Sequence, residues 1–340
     1  MAQPALDFFK KRALLIKAEA TEGTDSLPVP ATDGFRFFDG SSSTEFDKIE
    51  RNEDRPFFGG NSFATANHRA TIEGTFELYP PATPGAVSTS DAFCDRVLFP
   101  AGMAATKVLA TKTTRYNPIS TGIPSATAYW YHVRRLIKVL GARANLSSLG
   151  IEIGQRFTGQ ASLQGEYTEV TTQVMPTVTL PTTVPVVSSK RNSTCLLGTL
   201  VKGGTAGSVG TPLVDLHTWA KALRIDFGNA LAYREYTEKS VSGITDRVPT
   251  FTLRLAATDI SADFDPWFIR KNGIIVTAAY RLYNDDTKDG LYSELGVRCQ
   301  IEGINEVDID GDDGFELTGP CIPSSSGGDE FYIGFGDAAP

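Results

Sequence analysis

Two stretches in different halves of the chain carry the same strand pattern. In ATIEGTFELY (70–79), Ile72, Gly74, Phe76 and Leu78 fall on one face, and Thr71, Glu73, Thr75 and Glu77 on the other. In TFTLRL (250–255), Phe251, Leu253 and Leu255 alternate in the same way with Thr250, Thr252 and Arg254. A period of two is that of an antiparallel strand with one face buried and one wet. A chain that writes such a strand twice is constrained towards a mainly β fold with an internal repeat.

The repeat can be followed further. A shift of 177 residues sets Gly74, Phe76 and Leu78 on Phe251, Leu253 and Leu255. A shift of 171 sets Ser90, Phe93, Val97, Leu98 and Gly102 on Ser261, Phe264, Phe268, Ile269 and Gly273. Both of these segments read as short helices, capped by Ser90 and Ser261 and stopped by Pro100 with Gly102 and by Gly273. Later, IEIGQRFTGQASLQG (151–165) is answered by VDIDGDDGFELTG (307–319), each a strand, a glycine turn and a strand ending in Leu-x-Gly. Three matches in one order predict duplication of a domain of roughly 120–150 residues. The expected division is a first β domain over 1–170, a Thr/Pro- and Gly-rich linker or insertion over 171–222, a second β domain over 223–320, and a C-terminal arm over 321–340. Within that arm, FYIGF reads alternatively as a strand that docks on a neighbour. Further strands are expected in LIKAEA (15–20), and over 126–140, 149–153, 161–168, 224–236 and 274–283.

Charge and cysteine usage narrow the function. The formal net charge is −8 and lies wholly in the second half: residues 1–170 hold 18 basic and 18 acidic side chains, residues 171–340 hold 14 and 22. From Gln300 onward there are ten acids and no Lys or Arg. Gripping nucleic acid by its phosphates needs the opposite sign. Cys94, Cys195, Cys299 and Cys321 are widely spaced, the pattern of free buried thiols made in a reducing compartment. No apolar run is long enough to span a bilayer, and the first twenty residues do not read as a signal peptide.

Motifs that could carry chemistry fail on spacing. In KGGTAGSVGT, Lys202 precedes the glycines, so the order is not that of a phosphate loop. Counted as a calcium loop, DIDGDDGFELTG has Asp313 where glycine is needed and Gly319 where the bidentate acid belongs, so it reads as an acidic hairpin turn. His68, His132 and His217 are far apart, and no nucleophile elbow or paired-histidine motif is present. Scattered carboxylates leave open only a pair assembled in space. The chain therefore reads as no enzyme, with no catalytic, cofactor or metal site. One stretch stands out: STEFDKIERNEDRPFFGGNSF (43–63) reads as a long loop that mixes both charge signs with aromatics, a solvated loop in an isolated protein and a contact surface in a self-assembling one. Its candidate contact residues are Phe46, Glu50, Arg51, Glu53, Asp54, Arg55, Phe57 and Phe58, with Arg234 and Tyr236 in a weaker counterpart, YREYTEKSVSG (233–243).

Taken in order, these segments resemble the major tail tube proteins of long, non-contractile-tailed bacteriophages. The likeness runs through LLIKAEATEGTD, ERNEDRPFFGGNSFATANHRATIEGTFEL, FCDRVLFPAGMA, the stretch 126–167 and the stretch 223–255. It implies two tandem tail-tube-type β-sandwich or barrel domains, each with one short α-helix, whose strands join those of neighbouring subunits into a continuous inner β-barrel. It further implies a structural virion protein, made in the host bacterial cytoplasm, that polymerises into stacked rings as a conduit for DNA ejection. Its partners would be copies of itself, in trimeric pseudo-hexameric rings, together with tape-measure, tail terminator and distal tail proteins. Double-stranded DNA would pass without specific binding, and no membrane is involved. On this reading strand parity offers Glu73, Glu77, Glu152 and Asp308 as acids facing the lumen. The rival reading is another virion β-sandwich, such as a tail terminator, decoration or adhesin-like module, that forms no filament.

Overall fold

A computed structural model describes residues 11–338 except 52, 53, 55, 57, 58, 82, 86–92, 181–184, 201–208, 216–219, 239 and 257–264, with backbone alone over 197–200 and 209–215. Every strand pairing is antiparallel and nearly all of the chain's regular structure is β.

The first half runs β1 (Arg12–Ala18), β2 (Gly34–Phe35), β3 (Phe37–Glu50), β4 (Phe63–Glu77), α1 (Asp95–Leu98), β5 (Met103–Val108), β6 (Thr113–Pro118), β7 (Ala126–His132), β8 (Arg135–Glu152), β9 (Thr158–Tyr167) and β10 (Thr171–Thr172). The second runs β11 (Ser193–Leu200), β12 (Val209–Asp215), β13 (Ala220–Asp226), β14 (Asn229–Glu235), β15 (Ser240–Arg247), β16 (Thr250–Ala256), α2 (Pro266–Lys271), β17 (Ile275–Tyr283), β18 (Leu291–Gln300), β19 (Gly303–Ile309), β20 (Asp312–Pro320) and β21 (Phe331–Asp337).

Two strand orders each occur twice. In the first half β3, β4, β9 and β8 lie side by side; in the second, β13, β16, β20 and β19 do so. Likewise β2, β1, β7, β8 and β10 are neighbours, as are β12, β11, β17, β18 and β21. The long strand β8 takes both roles in its half. Its residues from Arg135 to Ala142 pair with β7 and those from Val139 onward with β9, with a bulge at Leu140/Arg143, where Gly141 has φ +60°, as the strand passes from one ladder to the other. The β5–β6 hairpin has no counterpart among the described residues of the second half.

The alternation in the sequence determines which side is buried. Ile72 and Phe76 are fully buried, as are Leu253 and Leu255 to within 2 %. They join Tyr280, Leu295, Val297, Phe331 and Ile333 from the facing sheet in one core that spans both halves. This is the packing of a β-sandwich. The Leu-x-Gly strand ends are equivalent in pairing: Leu163 lies opposite Ile72, and Leu317 opposite Leu253. That equivalence relates the two strands by 181 residues where the sequence alignment used 177, a difference that preserves the buried parity.

Both expected helices form. α2 is capped by Asp265, whose side chain accepts from the Phe268 N–H at 2.9 Å. α1 begins at Asp95, and Ser90 and Ser261 lie outside the described residues. Two expected strands are broken. Residues 126–140 fold back at Val133, which has φ +60°, into the β7–β8 hairpin, and 224–236 divides after Asp226 into β13 and β14. A β-branched residue at positive φ is uncommon, so composition carried no sign of that turn. Residues 171–222 contribute β11 and β12 to the second sheet, and FYIGF is β21, seated between β18 and β6 with Phe331, Ile333 and Phe335 buried.

Candidate assembly seam and open sheet face

The two four-strand units meet along one seam. Leu149, Gly150, Ile151 and Glu152 of β8 pair with Ile225, Arg224, Leu223 and Ala222 of β13. The seam continues past the ladder: the Asp226 carboxylate accepts from the Ser148 N–H at 2.5 Å, and the Phe227 N–H donates to the Leu146 carbonyl at 2.9 Å. Asn229 then spans the gap, its amide donating to the carbonyls of Ala101 and Ala144 at 2.9 and 3.0 Å. The Arg247 guanidinium donates to the carbonyls of Gly102 and Ile119 and to Asn229 Oδ1, all within 3.1 Å. On the other sheet, β6 of the first half pairs with β21 of the second over four residues.

This joins eight strands in the order β3, β4, β9, β8, β13, β16, β20, β19. The run ends on two strands that each have one partner, β3 on β4 and β19 on β20, among the described residues. Open edges of this kind are templates for pairing with another chain.

One face of the run packs on the core and the other is open. Across the seam a row of directly opposed residues reads Glu152, Ala222, Arg254, Glu316, Asn305. In the first unit the matching face carries the row Ser41, Glu73, Ser162, Asn145. Arg224 bonds Glu152 across the seam, and Arg254 Nε donates to Glu316 at 2.7 Å. Arg69 reaches Glu45 and Asp47 at 3.1 and 3.0 Å. Hydrogen bonds from Asn67 and Arg69 hold Asp47 below the ordinary carboxylate range.

The acids chosen by strand parity divide. Glu73 and Glu152 stand on the open face. Glu77 shares their parity but is only 3 % exposed, closed over by Arg156 at 2.5 Å and Arg36 at 3.7 Å. Asp308 has the opposite parity from Asn305, and its carboxylate accepts from the Gly311 N–H at 2.7 Å in the β19–β20 turn. The sequence pattern alone placed Arg254 on the polar face; its partnership with Glu316, and that of Arg224 with Glu152, depends on a register that no local pattern reveals.

The two charged stretches, expected as loops, are hairpins: the β3–β4 ribbon extends beyond the sheet, and β14–β15 packs against β8, β9 and β4. Beyond Arg69, β4 pairs with β3 alone, and residues 45–50 of that ribbon are exposed. Phe46 stacks on Phe63 with ring centroids 6.1 Å apart, and Glu50 pairs with Lys48 at 2.9 Å. Arg51 and Asp54 are exposed in the loop that follows, while Glu53, Arg55, Phe57 and Phe58 lie outside the described residues. The second hairpin, β14–β15, carries Arg234 and Tyr236 exposed near its tip. The ribbons touch where the Glu235 carboxylate accepts from the His68 N–H at 2.9 Å.

All four cysteines are buried free thiols, and burial pushes Cys94 and Cys321 up to about 12. No described helix is long and apolar enough to cross a membrane. A family model described as phage tail tube protein matches residues 10–312. No curated protein matches the chain.

Proposed function

The chain belongs to the phage tail tube protein family, a structural component of the virion, and from that premise we propose that three chains close into each ring of a stacked tube through which DNA is ejected. The observation that carries this reading is the seam between β8 and β13, which joins two four-strand units of identical order within one chain. The same contact made between chains sets β19 of one copy on β3 of the next. Each chain then contributes two units, and three chains make a ring of six.

The division into two modules belongs to the same proposal. The repeated strand orders support a first module from β1 to β10 and a second from β11 to β21, so that most of 171–222 and the C-terminal residues serve the second module. A head-to-tail seam is heterologous and closes into a ring when the rotation per chain divides a full turn. Closure also removes both open edges, which would otherwise invite aggregation. Rings would stack through the β3–β4 and β14–β15 hairpins, and tape-measure, terminator and distal tail proteins would meet the tube inside and at its ends.

Cysteines placed on the proposed edges test the reading. Ser43→Cys on β3 and Ile309→Cys on β19, the positions that correspond to Arg224 and Gly150 of the internal seam, oxidised together in assembled protein, should yield covalent species that end at three chains. Cryo-electron microscopy of the same material should show three chains per ring. Six whole chains per ring would overturn the stoichiometry, and persistent monomers would favour the non-polymerising virion module.

A further inference from the structure

Set as the inner wall of the proposed tube, the open face of the eight-strand run poses a chemical problem for a DNA conduit. Arginines at its ladder positions would hold phosphates, yet Arg69, Arg224 and Arg254 all stand there. Each is matched by a carboxylate on an adjoining strand or across the seam: Arg69 by Glu45 and Asp47, Arg224 by Glu152, Arg254 by Glu316. Register, not proximity along the chain, makes the matches. Glu316 is directly opposite Arg254, Glu45 directly opposite Arg69, and Glu152 lies two rungs along from Arg224, on the same face.

Arg224 also has a structural reason to be present. Its side chain lies across Gly150, where a Cβ would come within 2.5 Å of Arg224 Cγ. The aliphatic stem thus covers the seam between β8 and β13 while the guanidinium reaches Glu152. A long side chain serves that bridging role and brings a positive charge with it.

Resting on the tube reading above, we propose that Glu152 and Glu316 act as charge-cancelling residues of the inner wall: they occupy the guanidinium donors of Arg224 and Arg254, so that the polyanion sliding past finds no uncompensated cation. The wall is therefore slippery through paired charge and not through a lack of arginine. Asp226 and Glu73, whose carboxylates accept from the Ser148 N–H and the Ser162 hydroxyl, add negative charge to the same face.

The test uses assembled tubes of the full-length chain and a short fluorescent DNA duplex as the probe. Glu152→Gln with Glu316→Gln keeps side-chain size and frees two guanidinium groups per chain. Duplex retention at low salt should rise at least tenfold over the unsubstituted tube, and it should fall with added salt with a log–log slope of about −0.9 for each phosphate engaged. Adding Arg224→Gln and Arg254→Gln to that variant should return retention to the starting level. Asp286→Asn serves as the control, because Asp286 pairs with Arg191 at an exposed site away from this face at 3.6 Å; it removes a negative charge without unmasking the wall and should leave retention unchanged. Glu-to-Gln tubes that release the duplex as freely as the unsubstituted tube, or an equal gain from Asp286→Asn, would overturn the proposal while leaving the tube reading intact. A protein that forms no tubes at all would overturn the tube reading itself, and this inference with it.

Discussion

Arg224 lies across Gly150, and the absent Cβ of that glycine leaves room for the close approach of the two halves of the chain along their shared seam. A methyl group there would also sit 2.5 Å from the Leu223 carbonyl oxygen, a backbone atom that the ladder holds in place. Gly150→Ala should therefore destabilise the protein by about 1–3 kcal/mol, the usual cost of overpacking. Urea unfolding checks this, with Gly243→Ala alongside. Gly243 has no atom near its would-be Cβ and an ordinary φ, so that change should be neutral or slightly stabilising.

The last strand should matter as much as any central one. Phe331 is fully buried and packs on Phe227 with ring centroids 4.6 Å apart, linking β21 to the end of β13. Phe331→Ala should cost about 3–5 kcal/mol. Removing the chain after Pro323 would bare the edges of both β18 and β6, and should give insoluble protein. A truncated chain that unfolds at the same urea concentration as the full one would contradict the structure.

The exposed ends of the two hairpins should behave in the opposite way. Tyr236 is 61 % exposed and Phe46 46 %, so replacing either with Ala should change protomer stability by no more than about 0.5–1 kcal/mol. On the proposed ring-stacking role, the same variants should give short tubes or single rings by negative-stain microscopy. Tubes of normal length would remove these residues from the stacking contact.

Acid should loosen the loop after β1. Asp25 gains proton affinity from burial but loses more of it to hydrogen bonds from the Tyr129 hydroxyl, the Leu27 N–H and the Lys138 ammonium, so its folded value lies below the ordinary one. A carboxylate with a depressed folded pKa contributes stability above its unfolded value and loses it as pH falls through the folded one. Asp25→Asn should cost about 1–2 kcal/mol at pH 7, the scale of hydrogen bonds to a charged group, and progressively less towards pH 2. Thermal unfolding across that range measures it.

Glu166 should show the reverse sign. Burial, followed by the nearby charges of Glu235 and Glu19, raises its folded value. The native state then holds a proton that the unfolded chain has released, so stability falls as pH rises from the unfolded value through the folded one. Glu166→Gln should raise Tm at pH 7 and leave it unchanged at pH 3. A lower Tm at pH 7 would show that the carboxylate is needed in its charged form.

Much of this architecture was legible residue by residue. The alternation of Ile72 and Phe76 with Glu73 and Thr75, and of Leu253 and Leu255 with Arg254, states which side is buried, because the strand period is a local property of the backbone. The short helices were visible through their stops, although α2 is capped by Asp265 where Ser261 was expected, and the charged stretches were visible as charge runs but not as hairpins. What only the tertiary structure decided was partnership: that β8 meets β13, that Arg224 meets Glu152, that Glu77 is covered by Arg36 and Arg156, and that FYIGF lies between β18 and β6. These contacts join residues far apart in the chain, and their register is selected by how two apolar faces fill one core, a condition that no single stretch of sequence contains.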